Sequence, residues 1–391
     1  MALRRFPALD GLRAIAALMV IAFHYDGRVD WLSGWIGVQV FFVLSGFLIT
    51  TLMLREEARD ATISLKKFYL RRVFRIMPVY FVLLAASTAI STRNTGYHSL
   101  HISAAMPYYV SFFNEFAPSS ILFHTWTIGI EQKFYLVWPL IAFTALALKR
   151  ARAALTAVLA FGVLAIEPLF APSNSADPFL PYGVLLLGCL VAIVMNNPKG
   201  FSALSFLTRP AVALAVALCF VGVHLGVARL TTTLNSQRII SIYAIAVAVL
   251  LPSLLGTGLP GRLLALAPMR FIGARSYSLY LVQSLAAHAA GGLLVVGGHS
   301  RFVLVAVIAL ALADVLYRWV ELPMIKVGRR FCETRKPPGS VPPAPPVPPG
   351  APPWPAPGIE PAVTGPPRPR AAAGSPKPLA FEPTLGGIVD G

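Results

Sequence analysis

An arginine and a histidine, Arg13 and His24, bracket ten almost wholly apolar residues near the N-terminus. Ionisable groups inside a candidate membrane span are costly to bury and mark functional sites. On a helix the eleven steps between them amount to about 1100°, roughly 20° past three turns. Both side chains therefore share one face, about 16 Å apart along the axis. A histidine titrates near neutrality and suits proton transfer, whereas a guanidinium suits a carboxylate or phosphate. A snorkelling arginine and an interfacial histidine would give the same pattern in a generic membrane helix.

Two further groups stand with them. Glu131 follows Trp126-Thr127-Ile128-Gly129-Ile130 in an apolar stretch, two turns or so from its start and at a depth expected to match that of His24. A carboxylate there needs a partner, and Lys133, two residues on, points elsewhere on a helix. Glu131 is thus expected to face His24, an arginine or a water-filled cavity. In the basic segment Phe68-to-Tyr80, Arg72 and Arg75 stand three apart beside Arg71. On one helix face they suit bidentate hydrogen bonding to phosphate, and a topology anchor on anionic lipid would use the same residues.

The elements that must position these groups are membrane helices. Of 391 residues, 56% are hydrophobic and 13% charged. With a mean hydropathy of +0.69, this is a polytopic membrane chain. The net charge of +17 reflects basic residues gathered in alternate loops, not nucleic-acid binding. Ten apolar stretches approach the length of about 20 residues that crosses a bilayer: 8–26, 35–54, 74–92, 125–148, 153–171, 179–196, 209–228, 238–256, 271–295 and 301–320. The fold class expected is an all-α integral membrane protein of about ten transmembrane helices, in the cell membrane, with both termini cytoplasmic. The first stretch reads as an uncleaved span, because Asp10 and Arg13 interrupt a signal-peptide pattern.

Residues 337–391 hold more than half of the 34 prolines and read as a disordered, proline-rich cytoplasmic tail beyond a membrane domain over 4–325. Three cysteines make no disulfide framework, and no His/Cys group has metal-ligand spacing, so no metal is expected.

Leu9-Asp10-Gly11-Leu12-Arg13 with His24, Phe41-to-Ile49, Arg71-Arg72-x-x-Arg75-Ile76-x-Pro78-x-Tyr80, Trp126-to-Pro139 and Ser276-to-Leu281 occur in this order. In order and spacing they resemble the motifs of the membrane-bound acyltransferase-3 family. The resemblance covers about residues 4–325. It implies transfer of an acyl group, often acetyl, from acyl-CoA to a hydroxyl of a carbohydrate, envelope glycan or secondary metabolite. The family's essential Arg-x10-His pair maps onto Arg13 and His24, its acidic position onto Glu131, and its donor-associated basic motif onto Arg71, Arg72 and Arg75. The chain departs from the pattern at Gln132-Lys133, where Glu-Gln often follows the acid, and at Gln283, where His is frequent.

Acyl transfer from a thioester to an alcohol needs the hydroxyl deprotonated as it attacks, a task for His24. Glu131 is positioned to orient the imidazole as a carboxylate does in a Ser-His-Asp arrangement. Whether His24 acts only as base or carries the acyl group stays open. Ser45, in Leu-Ser-Gly-Phe, lacks the strand-turn setting of a nucleophile elbow. The competing function is a transporter or flippase of a sugar-lipid or acylated compound, with His24 and Glu131 relaying protons.

Overall fold

The computed structural model describes residues 6–25, 32–93, 102–118, 122–144, 148–170, 179–293 and 299–332, all within the unit Arg5–Pro352. The proline-rich stretch 337–391 lies outside the described residues. Among the described residues there is no strand. Fifteen α-helices follow in order: α1 Pro7–Tyr25, α2 Gly37–Asp60, α3 Leu65–Arg93, α4 Ile102–Val110, α5 Trp126–Phe143, α6 Leu148–Phe170, α7 Leu180–Asn196 and α8 Pro198–Leu204. Then come α9 Pro210–Leu230, α10 Ser236–Leu254, α11 Leu259–Leu264, α12 Ala267–Ala274, α13 Ser276–Leu293, α14 His299–Leu316 and α15 Leu322–Cys332. A π-helical turn, Tyr317–Glu321, joins the last two.

Each of the ten apolar stretches overlaps one long helix, because a chain in hydrocarbon must satisfy its backbone polar groups internally; 271–295 also takes in the end of α12, and 301–320 most of the π turn. Six helices are long and apolar enough to cross a membrane. A seventh is added if α7 and the segment Pro198–Thr208, bent by 105°, form one broken span. The chain is a multi-pass membrane protein with six to seven such spans among the described residues, fewer than the ten expected. The remaining long helices, such as α6, fall short in apolar length.

Close packing of α2 on α7 fixes the centre of the bundle. A Cβ on Gly46 would stand 1.9 Å from the Leu185 carbonyl oxygen, and one on Gly188 would stand 2.0 Å from that of Val43. Only glycine lets the backbones approach so closely, as small residues do throughout membrane helix interfaces. A second core joins α1, α3, α13 and α14 through Ile21, Tyr80, Leu281 and Ala309.

The described residues 102–118, between α3 and α5, are tied into the bundle. The buried Asn114 amide donates to the Tyr80 hydroxyl at 2.9 Å and to the Thr125 hydroxyl at 2.8 Å. Tyr80 also donates to the Tyr109 carbonyl at 2.9 Å. Thr125, where α5 begins, is thereby tied to the middle of α3 and not to its end at Arg93. That tie decides the depth of everything on α5.

Candidate functional site

Glu131 lies six residues beyond Thr125, about 9 Å of helical rise. Arg75 and Arg72 lie five and eight residues before Tyr80, about 7.5 and 12 Å of rise on α3. The Asn114 tie therefore brings the acid and the two arginines to one level. Ser45 of α2 donates to Glu131 Oε1 at 2.5 Å. The charges acting on Glu131 are those of Arg13 and Arg72, and the Tyr135 hydroxyl one turn further along α5 lies alongside. Arg72 stacks on the rings of Tyr135, 5.1 Å from its centroid, and Phe68, at 5.8 Å. Arg75 in turn faces Arg13 and Arg72.

This overturns the expected depth of Glu131. It belongs with Arg13, and hence far from His24, because α5 starts within the bundle and not at its rim. Lys133 turns to the other side of α5 and pairs with Glu115 and the Phe112 carbonyl. Arg71, expected beside Arg72 and Arg75, is drawn away by one helical step of about 100°. It forms an ion pair with Glu56 at 2.6 Å, whose other oxygen accepts from the Ser64 N–H at 3.1 Å.

The guanidinium groups of Arg13, Arg72 and Arg75 make no hydrogen bond or ion pair among the described residues. None of their nitrogens is sealed off as a buried unsatisfied atom either. Each carries five N–H donors, so the cluster presents unspent donors and positive charge to an accessible space inside the bundle. Phe41, Ser45, Leu48 and Leu52, spaced as one helix face, are half-buried while most of their neighbours are fully buried.

His24 stands at the other end of the α1 face. Its Nδ1 lies 2.8 Å from the Val20 carbonyl oxygen. A carbonyl only accepts, so Nδ1 carries the proton and Nε2 keeps its lone pair. The ring packs edge-on against Phe123, 5.6 Å between centroids, with Phe23 and Tyr25 on its flanks. Ring contacts continue from Phe123 to His124 at 5.9 Å, to Tyr280 at 5.5 Å and to Phe41 at 6.2 Å, one turn of α2 from Ser45. An aromatic path thus connects the two ends. His124 is itself fully engaged: Nε2 donates to the Leu281 carbonyl at 3.2 Å, and Nδ1 accepts from Ser284 at 2.9 Å.

Tyr277 and Ser278, inside the Ser276-to-Leu281 motif, and Glu321, which the sequence did not single out, complete the Arg13 end. Tyr277, which donates to the Ile76 carbonyl at 2.9 Å, lies in the field of both Glu131 and a second acid, Glu321. Glu321 is 2% exposed and accepts from Ser278 at 2.8 Å. An acidic residue one position past the apolar stretch 301–320 was the signal available for it. Gln283 is buried in α13, and neither its amide oxygen nor its nitrogen meets a partner among the described residues. No group of three or more His, Cys, Asp or Glu that could hold a metal occurs among the described residues. A groove of about 310 Å³ between α5, α6 and α7, lined by Val137, Ile141 and Leu159, is almost wholly apolar and lies apart from these charges.

Residues 6–318 match the family model described as an acyltransferase domain. The chain belongs to the acyltransferase-3 family. Among its relatives are the peptidoglycan O-acetyltransferase OatA of Listeria monocytogenes, 28% identical over 82% of this chain and 56% of that one. The O-acetyltransferase OatA of Staphylococcus aureus is 30% identical over 83% of this chain and 58% of that one. YrhL of Bacillus subtilis is 28% identical over 85% and 57%. The chain spans somewhat more than half the length of these relatives. No solved structure matches it.

Proposed function

We propose that the chain is a membrane O-acyltransferase, with acetyl the favoured group, that uses acyl-CoA as donor and a glycan hydroxyl as acceptor. The observation that carries this reading is the trio of unspent guanidiniums at the Arg13 end, on the same α1 face as an imidazole whose Nε2 meets no partner among the described residues. Guanidiniums recognise phosphate by paired N–H donors, and coenzyme A supplies phosphates at one end of a long arm. The pantetheine arm, roughly 15–20 Å when extended by ordinary bond lengths, matches the separation of about 16 Å between Arg13 and His24. Relatives named as O-acetyltransferases, one of them for peptidoglycan, support an acetyl group and a glycan acceptor.

In this reading Arg13, Arg72 and Arg75 grip the donor phosphates, and the thioester reaches His24. Nε2 takes the acceptor's hydroxyl proton as its oxygen attacks the thioester carbonyl. The new C–O bond forms, the C–S bond breaks, and the departing thiolate recovers the proton from the imidazolium. The Nδ1–H bond to Val20 holds the ring and its tautomer, the task the sequence had given to Glu131. Glu131 instead balances the arginines.

In this reading the bias of basic residues between apolar stretches makes the Arg72 and Arg75 end cytoplasmic, with His24 toward the far surface. In oriented vesicles, coenzyme A thioester supplied on the cytoplasmic side alone is expected to acylate a glycan confined to the other side. A requirement for both substrates on one side would overturn the through-membrane path, and no transfer in any arrangement would overturn the enzyme.

A further inference from the structure

The three guanidiniums are bracketed by two carboxylates of one design. Glu131 is held by the Ser45 hydroxyl on one side, and Glu321 by the Ser278 hydroxyl on the other. Tyr277 stands in the field of both. Glu321 faces Arg75 first, then Arg13 and Arg275, yet forms an ion pair with none of them among the described residues.

Its placement is a local exception to helical geometry. α14 buries Val305, Ala309 and Ala313, spaced four apart on one face. Were the α-helix to continue, residue 321 would stand about 80° around the axis from Ala313. The π turn Tyr317–Glu321 adds one residue to the winding and returns Glu321 to the buried stripe. Such turns forgo regular helix geometry and cluster at functional sites. This one delivers a carboxylate to a place where burying it is costly.

We propose that Glu321 is a positioning residue of the donor pocket: a fixed anion, kept off Arg75 by Ser278, that sets the net charge the pocket shows to the donor's phosphates. This rests on the donor reading above. Glu131 and Glu321, with Asp10 beside Arg13, offset the charge of the three arginines, so that the pocket captures an anionic donor and still releases its anionic product. Without Glu321 the pocket would carry one more positive charge, and coenzyme A would be held too long.

The test is equilibrium binding of coenzyme A, pantetheine and inorganic pyrophosphate to the full chain in detergent. Glu321→Gln keeps an oxygen for Ser278 and removes only the charge. It should tighten coenzyme A and pyrophosphate by roughly tenfold, the scale of one charge at several ångströms in a partly screened site. Uncharged pantetheine should be unaffected. Glu321→Asp, which keeps the charge, should bind like wild type. Ser278→Ala should weaken coenzyme A, because the freed carboxylate can close on Arg75, and this variant decides the matter if Glu321→Gln does not fold. A merely structural role would weaken all three ligands, and that result, or unchanged affinities, overturns the proposal. If wild type binds pyrophosphate but not coenzyme A, the donor reading fails, and the pyrophosphate shift still decides for or against Glu321. Binding of neither ligand overturns both.

Discussion

At one end of the α1 face Arg13 stands among two further guanidiniums and two carboxylates, contributed by α1, α3, α5 and the turn before α15. At the other, His24 makes one hydrogen bond among the described residues, to its own helix, and packs against aromatic rings. The difference teaches how a membrane protein separates binding from chemistry. Anion capture needs several charges at once, and charges inside a bilayer are tolerable only when opposing charges and hydroxyl donors from several helices converge. Proton transfer needs one group of suitable basicity with one nitrogen fixed and one free, which a single helix turn supplies. The His24 end is therefore a local structure, and the Arg13 end a tertiary one.

Substitution at each end should break this division in a different observable. The largest effect is expected for His24→Ala, which removes the proton acceptor. Turnover should fall by at least about 100-fold, the usual contribution of a general base, while the dissociation constant for coenzyme A stays within about twofold of wild type. Residual activity above a tenth of wild type would contradict the assignment. Arg75→Ala should do the reverse. Affinity for coenzyme A should drop by the equivalent of about 1.5–3 kcal/mol, the worth of a hydrogen bond to a charged group, with a smaller change in turnover at saturation. An unchanged dissociation constant would return the basic motif to lipid anchoring.

Smaller effects sharpen the comparison. Ser45→Ala leaves Glu131 without its 2.5 Å hydroxyl donor. A stability loss of about 1 kcal/mol in a denaturation midpoint is expected, with most of the activity retained. Abolished turnover with intact coenzyme A binding would instead make Ser45 a nucleophile. Truncation after Lys336 removes none of the charged residues at either end. Specific activity of the inserted protein should be unchanged, and its loss would assign the proline-rich stretch a part in regulation.

The sequence by itself determined the material of the protein and the shared face of Arg13 and His24. Hydrophobic runs near bilayer length leave a helix as the way to satisfy the backbone, and a fixed rotation per residue turns a spacing of eleven into one face. What the sequence did not determine is depth between helices. Counting from the apparent start of the fourth long helix put Glu131 level with His24. The buried amide of Asn114, tied to Tyr80 and Thr125, pulls that start to the middle of α3 and puts Glu131 with Arg13 instead. Glu321 escaped for a related reason, because a π turn breaks the periodicity on which faces are read. Hydrophobic periodicity is a property of one segment. The hydrogen bonds that set one helix against another join residues 34, 43 and 86 positions apart, and only the folded chain brings those together.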